Sequence, residues 1–279
     1  MASRPMGAGI GQRAPIAGVK SLVAVASGKG GVGKTTVAVN LALALNRMGA
    51  QVGLLDADVY GPNVPTMLGA TEQPRAISQH EIEPVEAQGL KTISMGLLNP
   101  GDKPLIWRGP MLHSVLQQFL RSVLWGELDY LIVDLPPGTG DVQLSLIQTT
   151  PVTGAVVVTT PSVVALADVR KAIEMFRQVN TEILGVVENM SYFDAPGGQR
   201  HYIFGEGEGR RMAESFGVPF LGEIPLETTV RAGGDAGQPV AAGGESAPGA
   251  KPFYAIARRV AERVEAVNAA ATGPVVQID

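Results

Sequence analysis

The sequence predicts an α/β fold, a doubly wound and mostly parallel sheet with helices on both faces. Three observations carry this expectation. Short runs rich in Val, Ile and Leu recur at 21–27, 51–56, 91–95, 130–134, 154–160, 183–188 and 220–224, with few charges, the pattern of strands buried on both faces. Helical patterns separate most of these runs, and strand–helix alternation is how parallel strands are joined. With 279 residues, 45% hydrophobic and 17% charged, the chain can bury the core that such a sheet needs.

Along the chain, residues 1–18 read as a flexible tail. Arg4 and Arg13 lie there without any acid, an apolar targeting core is absent, and Pro5 and Pro15 interrupt any helix. Residues 19–270 read as a single domain and 271–279 as a C-terminal tail. The segment 111–125 carries Met111, Leu112, Val115, Leu116, Phe119, Leu120, Val123 and Leu124 at helical spacing, with Pro110 at its start. Segments 191–209 and 231–252 are dense in Gly, Pro and Ala and are expected as long loops. The last helix, 253–270, aligns Phe253, Ile256, Val260, Val264 and Val267. Its polar face mixes Arg258, Arg259 and Arg263 with Glu262 and Glu265, which favours docking on the domain over a membrane surface.

Composition excludes several function classes. A net charge of -4 disfavours an electrostatic nucleic-acid binder, and 5% aromatics disfavours a base-stacking platform. No run of apolar residues is long enough to span a membrane, and the expected location is cytoplasmic. The chain has 0 cysteines, so it supplies no disulfide, no cysteine-held zinc and no thiolate for an iron–sulfur cluster.

The strongest motif is Gly28-Lys29-Gly30-Gly31-Val32-Gly33-Lys34-Thr35, a G-x-x-x-x-G-K-[ST] loop placed directly after a strand and before a helical pattern. Glycines let successive backbone N–H groups turn inward around phosphate oxygens, and the helix start adds partial positive charge. Lys34 is then expected to reach the β- and γ-phosphates and the Thr35 hydroxyl to ligate Mg²⁺. No Asp or Glu precedes Asp56, which keeps this corner attractive to a polyanion. Asp134 ends an apolar strand in the Walker B pattern. Asp56 and Asp58 follow another strand at period-two spacing, which can aim both at the crevice above the sheet. Strand-end aspartates are often turn formers, but beside this loop Mg²⁺ or water handling is the favoured role.

Lys29 gives the loop a second lysine. The segment Lys29-Gly30-Gly31-Val32-Gly33-Lys34-Thr35-Thr36 resembles the deviant Walker A of the MinD/ParA/nitrogenase-iron-protein class. Further stretches narrow the likeness: Gly61-Pro62-Asn63-Val64-Pro65, Ile106-Trp107-Arg108-Gly109-Pro110, Leu135-Pro136-Pro137-Gly138-Thr139-Gly140-Asp141, Ala165-Leu166-Ala167-Asp168-Val169-Arg170 and Val187-Glu188-Asn189-Met190-Ser191-Tyr192-Phe193. From about residue 19 to residue 239 the chain resembles the Mrp/ApbC family of iron–sulfur cluster carriers.

The resemblance implies a P-loop NTPase fold of the deviant Walker A type and a slow, Mg²⁺-dependent ATPase working as a homodimer, with iron–sulfur scaffold or client proteins as partners. It implies that Gly30 to Thr36 wrap the phosphates and that Lys29 acts on the nucleotide of the opposite subunit. Asp58 would position the attacking water, Asp134 would support Mg²⁺ and 137–140 would form a second switch. It further implies that Asn189 contacts adenine, with Pro225 near the base, and that Trp107 and Arg108 are interface or switch residues. For Trp107 a buried structural role is an equal alternative.

The departure is at the cluster. Relatives commonly follow Ser-Tyr-Phe with C-x-x-C, and two subunits pool four thiolates around a [4Fe–4S] cluster. Here Ala195 and Gly198 stand at those positions. Asp194 and His201 offer one oxygen and one nitrogen, a poor iron site. Three readings stay open: carriage has been lost, a partner supplies the sulfur, or the cysteine-free form is engineered. Beside the carrier reading stands a nucleotide-switched positioning or regulatory ATPase without metal cargo.

Overall fold

The structure, a computed structural model, describes residues 14–98, 109–162 and 165–271. Its elements in chain order are β1 (Val19–Ala26), α1 (Lys34–Arg47), β2 (Val52–Asp56), α2 (Val64–Leu68), β3 (Arg75–Ala76), β4 (Ile82–Glu83), β5 (Val85–Ala87), β6 (Leu90–Ser94), α3 (Met95–Leu98) and α4 (Gly109–Arg121). There follow β7 (Leu128–Asp134), α5 (Asp141–Thr149), β8 (Gly154–Thr159), α6 (Ala165–Gln178), β9 (Ile183–Asn189), β10 (Phe193–Asp194), β11 (Arg200–His201), α7 (Glu208–Phe216), β12 (Phe220–Ile224), α8 (Thr228–Asp235), a 3₁₀ turn (Val240–Gly243) and α9 (Lys251–Ala271).

The expected architecture is present. Eight strands form one sheet in the order β12-β9-β8-β1-β7-β2-β6-β5, parallel except for the edge pair β5–β6. Alternation along each strand divides the core between two faces. Leu22, Ala24 and Ala26 of β1 join Leu131 and Val133 of β7 on the face covered by Leu116, Phe119, Ile173, Phe176 and Met212 of α4, α6 and α7. Val23, Val25 and Ile132 point the other way, against Val37, Leu41 and Leu45 of α1 and Phe253, Ile256 and Val260 of α9. The apolar stripe of the last helix is therefore spent on the sheet, as its mixed-charge outer face suggested.

Three expectations need correction. The helix expected over 111–125 ends at Arg121, because 122–124 leave it to pair with β4. Ile82 donates to the Ser122 carbonyl at 2.8 Å and Leu124 to the Ile82 carbonyl at 2.9 Å. Met111, placed on the buried stripe by spacing, is 53% exposed. The segment 191–209 is not one long loop. It holds the hairpin β10–β11, in which Phe193 pairs His201 and Asp194 pairs Arg200, and the first two residues of α7. Part of 231–252 is likewise regular, since α8 runs through Asp235 and the 3₁₀ turn follows.

Candidate nucleotide site

The loop 28–33 leaves the C-terminal end of β1 and enters α1 at Lys34. Two glycines are demanded by what surrounds them. A Cβ on Gly28 would lie 2.1 Å from the Asp168 carbonyl oxygen of α6, so the loop starts in direct contact with that helix. Gly33 has φ +78°, the left-handed region, and a Cβ there would meet Asn189 Nδ2 at 2.2 Å.

Parallel pairing brings the acidic strand ends together, with Asp56 of β2 in register with Asp134 of β7. Both are buried. Lys34 Nζ lies 2.5 Å from Asp134 Oδ1, and the Thr35 hydroxyl donates to Asp134 Oδ2 at 2.7 Å. Burial pushes the Asp134 carboxyl up, while the charge and hydrogen bond of Lys34 and the Thr35 hydroxyl hold it down. Asp56 is pushed up to about 8, first by burial and then by the charge of Asp134, against the hydrogen bonds that Ser94 and the Asp58 N–H donate.

Asp56 organises the segment that follows it. It accepts from Asp58 N–H at 3.1 Å, Val64 N–H at 3.3 Å and the Ser94 hydroxyl at 2.9 Å. The Ala57 N–H donates to the Asp134 carbonyl at 2.9 Å. Half-buried Asp58 is thus fixed by its own N–H to Asp56, and its neighbour Ala57 to the end of β7. The segment 137–140, expected as a second switch, is held at the end of β1 by Gly138 N–H donating to the carbonyl of Ser27, which precedes the loop, at 3.0 Å. The Gln143 amide donates to the Pro136 carbonyl. Lys29 is half-buried and makes no ion pair among the described residues.

Of the other expected residues, Asn189 is buried and donates to the Val32 carbonyl at 2.9 Å, so it touches the loop directly. Pro225 is buried one residue beyond Ile224, the register partner of Asn189. Thr36 lies in the first turn of α1, and its carbonyl accepts from Asn40 at 2.9 Å. Trp107 and Arg108 lie outside the described residues. Ser94, Gln143 and Asn40 were not picked out from sequence. Only Ser94 had a usable signal, a hydroxyl closing an apolar run beside the Asp56 strand.

Where relatives would carry cysteines, Ala195 and Gly198 form the hairpin turn, Gly198 N–H donating to the Ala195 carbonyl at 3.0 Å. Arg200 forks onto Asp194 at 2.8 and 3.0 Å and stacks 3.5 Å from the centre of the Tyr192 ring. Its hydrogen bonds hold the Asp194 carboxyl below its usual range. Among the described residues no group of three His, Cys, Asp or Glu is arranged to hold a metal. No helix there is long and apolar enough to cross a membrane.

A family model described as ParA, NUBPL iron-transfer P-loop NTPase, matches residues 18–261. The chain belongs to this iron-transfer P-loop NTPase family. Among relatives of that family, the iron-sulfur cluster carrier protein of Deinococcus radiodurans is 56% identical over 249 residues, covering 88% of this chain and 71% of its own length. The protein of the same name from Synechocystis is 50% identical over 269 residues, covering 94% and 76%. Among solved structures, a nucleotide-binding protein from Archaeoglobus fulgidus in complex with ADP is 39% identical. It covers 88% of this chain and 95% of that one, with a TM-score of 0.74. The septum site-determining protein MinD from Pyrococcus horikoshii, complexed with Mg-ADP, is 25% identical with a TM-score of 0.65, covering 88% and 98%.

Proposed function

We propose that this iron-transfer family member binds Mg-ATP on 28–36 and hydrolyses it slowly as a homodimer. The observation that carries the reading is the convergence of Lys34 and Thr35 on buried Asp134, at 2.5 and 2.7 Å. A lysine and a hydroxyl at the start of a helix, facing a carboxylate at a strand end, are the parts that a triphosphate with a hard divalent ion requires. The ADP carried by the Archaeoglobus relative and the Mg-ADP carried by MinD support it.

The Thr35 hydroxyl and Asp134 fit Mg²⁺, being oxygen donors without thiolate or imidazole. Held by these two residues, Mg²⁺ would supply neutralisation of charge developing on the phosphates. The loop amides and Lys34 hold the β- and γ-phosphates and stabilise the transition-state charge. Asp56 fixes the backbone of Asp58, which orients the attacking water. The partner subunit's nucleotide receives Lys29, whose ammonium lacks an ion pair among the described residues of its own subunit. Asn189, with Pro225 beside it, borders the adenine.

An iron–sulfur cluster does not fit the residues present, because the chain has 0 cysteines and the hairpin turn offers Ala195 and Gly198. That absence favours a second reading, a nucleotide-operated switch without metal cargo of its own. Phosphate release by wild type, Lys34→Ala and Lys29→Ala tests the ATPase. Loss in Lys34→Ala with a large loss in Lys29→Ala is expected, and an unchanged Lys29→Ala rejects the trans lysine. Anaerobic iron reconstitution separates the two cargo readings: cluster absorbance without an added partner contradicts the switch.

A further inference from the structure

Strand β9 ends in two buried polar residues, Glu188 and Asn189, and consecutive strand residues face opposite sides of a sheet. On the α1 side, Asn189 grips the phosphate loop. It donates to the Val32 carbonyl at 2.9 Å and packs so closely on Gly33 that no Cβ fits there. On the α7 side, Glu188 accepts from the Gly209 N–H at 2.5 Å, in the first turn of α7. A Cβ on Gly209 would lie 3.0 Å from the Glu188 Cβ, so this junction is also closely packed.

The segment between these grips is tethered at both ends. Ser191 N–H donates to the Ile224 carbonyl at 3.0 Å, and Gly205 abuts the Pro161 carbonyl, 2.1 Å from where its Cβ would stand. Within it lie the hairpin and a run of three exposed apolar side chains, Tyr202, Ile203 and Phe204, at 42%, 57% and 47% exposure. Glu188 and the Tyr202–Phe204 run are given no part in the nucleotide reading above.

We propose that Asn189 and Glu188 are a positioning pair which couples the phosphate loop to the segment 193–216. Asn189 sets the Val32 carbonyl and Glu188 sets the start of α7, so phosphates that order the loop also order the hairpin and its apolar run. The coupling passes through a short buried path of two side chains on one rigid strand, which is what transmission between neighbouring sites requires. It rests on the nucleotide reading above.

Hydrogen exchange of the full chain with and without Mg-ATPγS tests it, with calorimetry of the same samples. In wild type, exchange across 193–216 is expected to slow by about threefold or more when nucleotide binds. Glu188→Gln, which keeps an acceptor for Gly209, retains the response. Glu188→Ala loses it while the nucleotide Kd changes less than about twofold. Should Glu188→Ala fail to fold, Asn189→Ala at saturating nucleotide decides, and loss of the response is again expected. A Glu188→Ala or Asn189→Ala protein that responds like wild type overturns the coupling, as does a wild-type segment that ignores bound nucleotide. Absence of binding heat in wild type is a different failure, which removes the nucleotide reading itself and the coupling with it.

Discussion

Replacing Lys34 by Met in the nucleotide-free protein strips Asp134 of its counter-ion. Asp134 is 0% exposed and Lys34 6%, so the pair is buried and water does not take over the lost contact. Removing one partner of such a pair costs about 3–5 kcal/mol. Two features reduce that figure: the Thr35 hydroxyl still donates at 2.7 Å, and the orphaned carboxyl, already pushed up by burial, can take a proton. Lys34→Met is therefore expected to lose about 3 kcal/mol near neutral pH. The deficit should shrink as pH falls, because protonation removes the unpaired charge. Asp134→Asn in the same chain removes that charge directly, so the double variant should recover about 2 kcal/mol relative to the sum of the singles. Urea unfolding of the four proteins at constant m-value measures this cycle. Strict additivity, or a Lys34→Met protein as stable as wild type, refutes the buried-pair reasoning.

Two further predictions concern the same corner of the molecule. Gly28→Ala forces the loop and α6 apart and is expected to cost about 1–3 kcal/mol. Gly61→Ala, with open space around it, should stay within about 0.5 kcal/mol in the same urea assay. Asp56 has a folded-state pKa raised to about 8 from 3.8, so the folded protein binds the extra proton in between. Its contribution is full below pH 4 and is lost as pH rises toward 8, at up to about 1.4 kcal/mol per pH unit. Asp56→Asn should flatten that part of the stability profile, and an unchanged slope would show that another group titrates there.

The central strands were legible because parallel strands buried on both faces must be short and apolar, and the ends of β9 and β12 differ from expectation by at most a residue. The phosphate loop was legible for a similar reason: residue type, glycine spacing and flanking elements all constrain it at once. What sequence could not show was set by contacts between distant segments. Helix α4 stops at Arg121 because Ile82 pairs with 122–124, some forty residues away, and no local pattern encodes that pairing. The hairpin β10–β11 was missed for a different, local reason: it sits among Gly and Pro that read as loop, and the Asp194–Arg200 fork and the stack on Tyr192 that order it form only once the turn is made. In the site, Asp134 could be picked from its strand end. The Ser94 hydroxyl donates to Asp56 and accepts from the Gly96 N–H, and its place beside Asp56 becomes visible only with β2 and β6 side by side; Gln143 acts locally, donating to the Pro136 carbonyl.

Titration of Mg-ATP into the folded wild-type chain in a calorimeter tests the central claim most directly. One nucleotide per chain, with the heat lost when Mg²⁺ is chelated or Lys34 is replaced by Ala, is the expected result. A well-folded protein that gives no heat with Mg-ATP would contradict the account.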